Sequence, residues 1–156
     1  MMERRGLVAF LLGSSALLAG WRTANAATGN GKPHRLAMHI DSNDAAIMNL
    51  GLNNASNVVG YYKEHGASAA VEIVAYGPGL HMLRDDTSPV KDRLMRLTKD
   101  GAFPSQLQFS ACHNTMMGME KREGHPIPIV QGAKIVPAGV VRITELQEEG
   151  WTYLRP

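Results

Sequence analysis

The feature that most constrains this chain is an alternation. Short runs rich in apolar and β-branched residues, "HRLAMHI" (34–40), "AAVEIVAY" (69–76), "LQFSAC" (107–112), "AKIV" (133–136) and "WTYL" (151–154), are separated by segments with helical spacing. Strands joined through helices pair in parallel, and a parallel sheet needs helices over its faces. The pattern therefore predicts an α/β domain with a mostly parallel sheet and helices on both faces.

The intervening segments support this order. Over 42–65, Ile47, Leu50, Val58 and Tyr62, with Ala55 between them, keep a three-to-four spacing, and Gly66 stands where a left-handed cap is wanted. "GPG" (77–79) breaks the second strand, with a weak helical turn expected through Leu80–Leu83. Ser88 as a cap, Pro89 in the first turn and the stripe Val90, Leu94, Leu97 predict the next helix, stopped by Gly101. A helix over 114–123 closes at Gly124, and "PIPIV" (126–130) is a poor internal strand because of its two prolines. Pro137 is expected to open a last helix, with Val140, Ile143 and Leu146 inward and Gly150 at its end.

The N-terminus has a different character. Arg4 and Arg5, an apolar stretch from Leu7 to Ala19 and the small-x-small site Ala24-Asn25-Ala26 predict a cleavable secretory signal peptide over 1–26. Residues 27–33 then form a flexible lead-in, and 34–156 a single domain. Gly13, Ser14 and Ser15 interrupt the apolar stretch and make it a poor spanning helix, so an uncleaved anchor is the weaker alternative and no stable membrane anchor is expected after cleavage. The general secretory and twin-arginine routes both stay open, and the expected location is the periplasm. Cleavage removes Arg4, Arg5, Arg22 and Glu3, so 16 basic and 14 acidic residues become 13 and 13. The remaining domain is near neutral, with no basic stripe of the kind nucleic-acid binding needs.

Cys112 is the only cysteine, so no disulfide can form within the chain. A lone thiol in an oxidising compartment is buried, paired with another chain, or used. It falls where the third strand meets a helix, and backbone amides at a helix start favour the thiolate. Free cysteine is also a common small core residue, so both readings stand. In a parallel sheet, reactive groups gather at the C-terminal strand edge. Three segments arrive there: Met38-His39-Ile40-Asp41, Tyr76-Gly77-Pro78-Gly79 and Ala111-Cys112-His113-Asn114. His113 and His39 are candidates to move protons for Cys112; Asp41, Gly77, Gly79, His81 and Asn114 are candidates to bind. The spacing of Cys112, His39, His81 and His113 fits no compact zinc site, and neither metal nor cofactor is expected. No GxSxG, HExxH or CxxC occurs.

Four stretches, "HIDSND", "VEIVAYGPGLHML", "FSACHNTM" and "VPAGVVRITELQEEGWTYLRP", make the chain resemble the DsrE/DsrF-like family, which includes YchN-like and TusD-type sulfur-relay proteins. The resemblance runs over about 34–156 and is nearest to small exported members. It implies a flavodoxin-like three-layer fold with about five strands, and assembly into trimers or hexamers. It also implies that Cys112 matches the cysteine which carries sulfane sulfur as a persulfide between donor and acceptor proteins. The expected function is therefore a periplasmic sulfur carrier or sulfurtransferase-like protein. Two alternatives remain open: an oligomeric ligand- or protein-binding module with Cys112 buried, and a thiol redox or metal sensor.

Overall fold

A computed structural model describes residues 31–99 and 106–156. The expected signal peptide and the helix stop at Gly101 lie outside the described residues. The elements run β1 (His34–Ile40), α1 (Ala45–Glu64), β2 (Ala69–Ala75), a 3-10 helix (Gly77–Leu83), α2 (Lys91–Lys99), β3 (Leu107–Cys112), α3 (His113–Glu123), β4 (Lys134–Val136), α4 (Gly139–Glu148) and β5 (Thr152–Leu154). The five strands form one sheet in the order β4-β3-β2-β1-β5, and every pairing is parallel. This is a flavodoxin-like α/β fold.

The order explains where the helices lie. From β1 to β4 the sheet grows in one direction, so right-handed crossovers put α1, the 3-10 helix, α2 and α3 on one face. The return from β4 to β5 runs the opposite way, and the same handedness puts α4 on the other face. The first face holds the main core. Met38, Ile40, Ile73 and Phe109 of the sheet meet Met48 and Leu52 of α1, Leu80 and Met82 of the 3-10 helix, Leu94 of α2 and Met116 of α3. The second face is thinner: Ala37 and Val74 lie under Leu146, flanked by Ile143, Tyr76 and Trp151.

That second face also holds a buried charge. Glu72, at 2% exposure, accepts two bonds of 2.8 Å from Arg142 of α4 and one of 2.7 Å from the Ser110 hydroxyl. Unpaired, such a carboxylate would be costly; paired, it fixes where α4 sits on the sheet.

The local signals explain most element ends. Asp44 caps α1 by accepting from the Ala46 amide at 2.7 Å, and Gly66 beyond the helix has φ +70. Ser88 accepts from Val90 at 3.3 Å ahead of α2, and Gly124 closes α3 at φ +76. Residues 126–130 contribute only an isolated bridge between Ile129 and Arg84.

Three expectations need correction. The inward face of α1 is Met48, Gly51, Leu52 and Ala55, whereas Leu50 is 46% exposed. Leu50 lies two residues from Met48 and Leu52, about 200° around the helix. Val140 is likewise 58% exposed, since α4 meets the sheet through Gly139, Arg142, Ile143 and Leu146. Pro137 does not open α4; Ala138, extended at φ −144, is its N-cap.

Candidate active site

The C-terminal ends of β1, β2 and β3 come together as the topology requires. The Tyr76 amide donates to the Ile40 carbonyl at 3.2 Å. Gly79 packs so closely on the end of β1 that a Cβ there would stand 2.1 Å from the Ile40 oxygen. No other residue fits that position. Gly77, at φ +51, turns the chain so that its amide donates to the Thr115 hydroxyl oxygen at 3.0 Å.

Cys112 stands at the centre of this arrangement, as the last residue of β3 and the N-cap of α3. It is 5% exposed. Burial by itself pushes the thiol pKa up. Against that act the Thr115 hydroxyl first, and then the backbone amides of Thr115, Gly139 and Asn114, and the net shift is downward. Gly139 is the first residue of α4, so the N-termini of α3 and α4 both approach the sulfur. Each contributes partial positive charge where a thiolate would form.

An aromatic and charged cluster flanks the thiol on the α4 side. His39 Nδ1 and the Tyr153 hydroxyl are 2.6 Å apart, while His39 Nε2, buried and without a hydrogen bond, lies 3.5 Å from Asp41 Oδ2. Arg155 reaches the same Asp41 oxygen at 3.2 Å. Tyr76 connects this cluster to the sulfur. Its ring centroid is 5.3 Å from that of His39, and a Cβ on Gly139 would stand 2.8 Å from its Cδ1. Burial, followed by the charges of Asp41 and neighbours that include Cys112, raises the Tyr76 phenol pKa and keeps it a donor.

The expected site residues therefore separate. Cys112, Gly77 and Gly79 form the strand-end junction, with His39 and Asp41 beside it. His113, the first residue of α3, has its side chain in solvent and no part in this arrangement. His81 and Asn114 lie on the opposite side, lining a groove of about 470 Å3 between the 3-10 helix and α3, together with Thr115, Gly118 and Arg122. His81 Nδ1 is tied to the Thr87 hydroxyl at 2.8 Å.

Sequence reasoning brought Tyr76 to the strand edge without giving it a role, and missed Thr115, Gly139, Tyr153, Arg155 and Arg122. Two of these had a local signal. A threonine three residues after a helix-capping cysteine brings its hydroxyl and amide back to the cap, and Gly118–Arg122 is an i,i+4 pair. Gly139, Tyr153 and Arg155 are placed by the sheet order, to which no local pattern points.

Among the described residues, no group of three His, Cys, Asp or Glu side chains is arranged to hold a metal ion. No described helix is long and apolar enough to cross a membrane.

The fold and this junction define a parallel α/β protein with a polarised thiol at the strand edge. No protein-family model matches the chain, and no curated protein does. A solved structure does: the protein of unknown function MTH1491 from Methanobacterium thermoautotrophicum, with a TM-score of 0.64 and 31% identity, over 79% of this chain and 99% of that one. With that identity over nearly all of the archaeal protein, the chain belongs to the same family as MTH1491.

Proposed function

We propose that this protein is a sulfur carrier of the DsrE-like kind, in which Cys112 accepts sulfane sulfur as a persulfide and passes it to a partner thiol. The observation that carries the proposal is the set of donors around Cys112: one hydroxyl already oriented by the Gly77 amide, and the amides that start two helices. A structural cysteine needs none of these, whereas an anionic sulfur does.

The chemistry balances without an external oxidant. The Cys112 thiolate attacks the outer, sulfane sulfur of a donor R–S–SH. A new S–S bond forms at Cys112, the donor's S–S bond breaks, and R–S− leaves and takes up the proton that Cys112 lost on ionising. Transfer onward repeats the step with the acceptor thiolate as nucleophile and Cys112 as leaving group, a role that a lowered pKa favours. One cysteine suffices, because the carrier needs no resolving thiol. Export to the periplasm, through the leader-like residues 1–26, and assembly into a homo-oligomer complete the proposal.

Intact-mass spectrometry after polysulfide exposure, beside a Cys112→Ser control, tests it. The expected result is a reductant-labile gain of whole sulfur atoms on the native chain only. The 5% exposure of Cys112, with Val140 and Val141 of α4 more than half exposed, favours a second reading: an assembly module whose cysteine is structural. No adduct, together with a thiol alkylated only on unfolding, would establish that reading instead.

A further inference from the structure

We infer that the flank between β4 and α4 is a two-fold contact surface, and that its occupant is a second copy of this chain. The inference rests on the homo-oligomer of the proposed function and names the surface that forms it.

The sheet leaves this flank bare. Parallel sheets occur with both faces covered, and among the described residues α4 is the one helix on the second face. A helix is about 10 Å wide and strands stand about 4.8 Å apart, so one helix covers about two of the five strands. Leu146 lies over Ala37 of β1 and Val74 of β2, so β4 stays outside that cover. Ala111, the register partner of Ile135, belongs to the first-face core, and alternation therefore puts Lys134 and Val136 on the second face. Between this part of β4 and α4 runs a groove of about 310 Å3, with Val136, Pro137, Ala138 and Val141 as its apolar lining. Val141 is 51% exposed there.

Charge selects the occupant. Lys134 and Glu145 line the same groove with opposite signs. Lys134 makes no ion pair among the described residues, and the Glu145 carboxylate has only a 3.6 Å contact with Arg142. A patch that carries both signs is complementary to itself. Under a two-fold axis, Lys134 of each copy meets the partner's Glu145, and Val141 of each copy enters the apolar groove of the other. A partner protein of one charge would satisfy only one of the two residues. The contact also bears on the thiol. Val136 is the register partner of Cys112, and the Pro137 carbonyl accepts from the amide of Asn114 at the start of α3, at 3.2 Å. The second copy therefore shields the β4 side of the strand-end junction.

Sedimentation velocity over a range of concentrations tests this on the native protein, Val141→Asp, Lys134→Glu and Glu145→Lys, with circular dichroism to confirm folding. The native protein should form an assembly with an even number of copies. Each variant should weaken the two-fold contact by about tenfold or more, so that the assembled mass halves. Mixing Lys134→Glu with Glu145→Lys in equal amounts should restore the native mass, because both pairs across the axis then join opposite signs. No contact within one chain could be restored by mixing. Cys112 of Val141→Asp should be alkylated several-fold faster than in the native assembly, and an unchanged rate would overturn the shielding. A native protein that stays monomeric up to about 1 mM, or that forms an odd-numbered assembly, would overturn the second copy as occupant. Assembly untouched by the three variants would overturn the surface, and a mixture that stays dissociated would overturn the two-fold pairing. Sulfur uptake, read by intact mass on the same samples, tells a failed contact from a failed carrier.

Discussion

The Gly77 amide donates to the Thr115 hydroxyl oxygen at 3.0 Å, and this bond determines where the hydroxyl proton points. With its oxygen engaged as acceptor, the hydroxyl donates to Cys112, where it is the strongest of the groups lowering the thiol pKa. Hydrogen bonds to charged groups contribute about 1.5–3 kcal/mol. Thr115→Val should therefore slow alkylation of Cys112 at neutral pH by about tenfold and move its pH midpoint upward. Thr115→Ser, which keeps the donor, should stay near the native rate. Iodoacetamide kinetics across pH, with circular dichroism to confirm folding, check this.

Tyr76 and Gly139 should behave as a coupled pair. A methyl group at Gly139 would meet Tyr76 Cδ1 at 2.8 Å and Cβ at 2.9 Å, too close for either to keep its place. Overpacking of this kind costs about 1–3 kcal/mol. Gly139→Ala should lower stability by that amount and slow alkylation, since the Gly139 amide then withdraws from the sulfur. Adding Tyr76→Ala removes the obstruction, so in that background the Gly139→Ala penalty should largely vanish. Urea unfolding of the four proteins gives the coupling directly.

These two contacts also show what the sequence could and could not reveal. The strand ends were legible because β-branched runs and glycines mark them, and parallel topology then brings 38–41, 76–79 and 111–114 to one edge. Cys112 was legible for the same reason. Gly139 was not, because its nearness to the sulfur depends on β4 lying beside β3 and on α4 crossing to the opposite face. Leu50 and Val140 were misread for another reason. On a helix packed against a sheet, spacing alone offers more than one candidate stripe, and only the crossing geometry selects Met48 with Leu52, or Ile143 with Leu146.

Arg84 sets the acid limit of the fold. It is 2% exposed and donates to both oxygens of Asp86, at 2.9 and 2.7 Å, and of Glu123, at 2.7 and 2.8 Å, tying the segment after the 3-10 helix to the end of α3. These bonds lower the Glu123 pKa and bring that of Asp86 to about 2, from 3.8. Because the folded values lie below the unfolded ones, this stability is complete above about pH 5 and fades as pH falls toward 2. Asp86→Asn should cost about 1 kcal/mol at pH 7, a modest figure because Asp86 is partly exposed. Near pH 2 the native and variant urea midpoints should converge.

Glu72 and Arg142 should show the opposite slope once separated. In the native protein, burial raises the Glu72 pKa, but the bonds from Arg142 and Ser110 and the Arg142 charge outweigh it, leaving the carboxyl below its ordinary value. That stability is present above the unfolded carboxyl pKa, about 4.3, and is lost as pH falls. Arg142→Ala removes the main opposing groups and leaves burial dominant, so the folded pKa rises above the unfolded one. The variant should be about 3–5 kcal/mol less stable at pH 7 and should recover part of that loss on acidification, when the stranded carboxylate becomes protonated. Replacing Glu72 with Leu, Arg142 with Met and Ser110 with Ala together should restore most of the stability at pH 7, because no buried charge then remains. Arg142 stands one turn from Gly139, so the single variant should also slow Cys112 alkylation, while the triple variant should recover the native rate only if α4 returns to its place. Paired urea titrations at pH 7 and pH 4.5, with alkylation rates on the same samples, separate what the ion pair contributes to stability from what it contributes to the thiol.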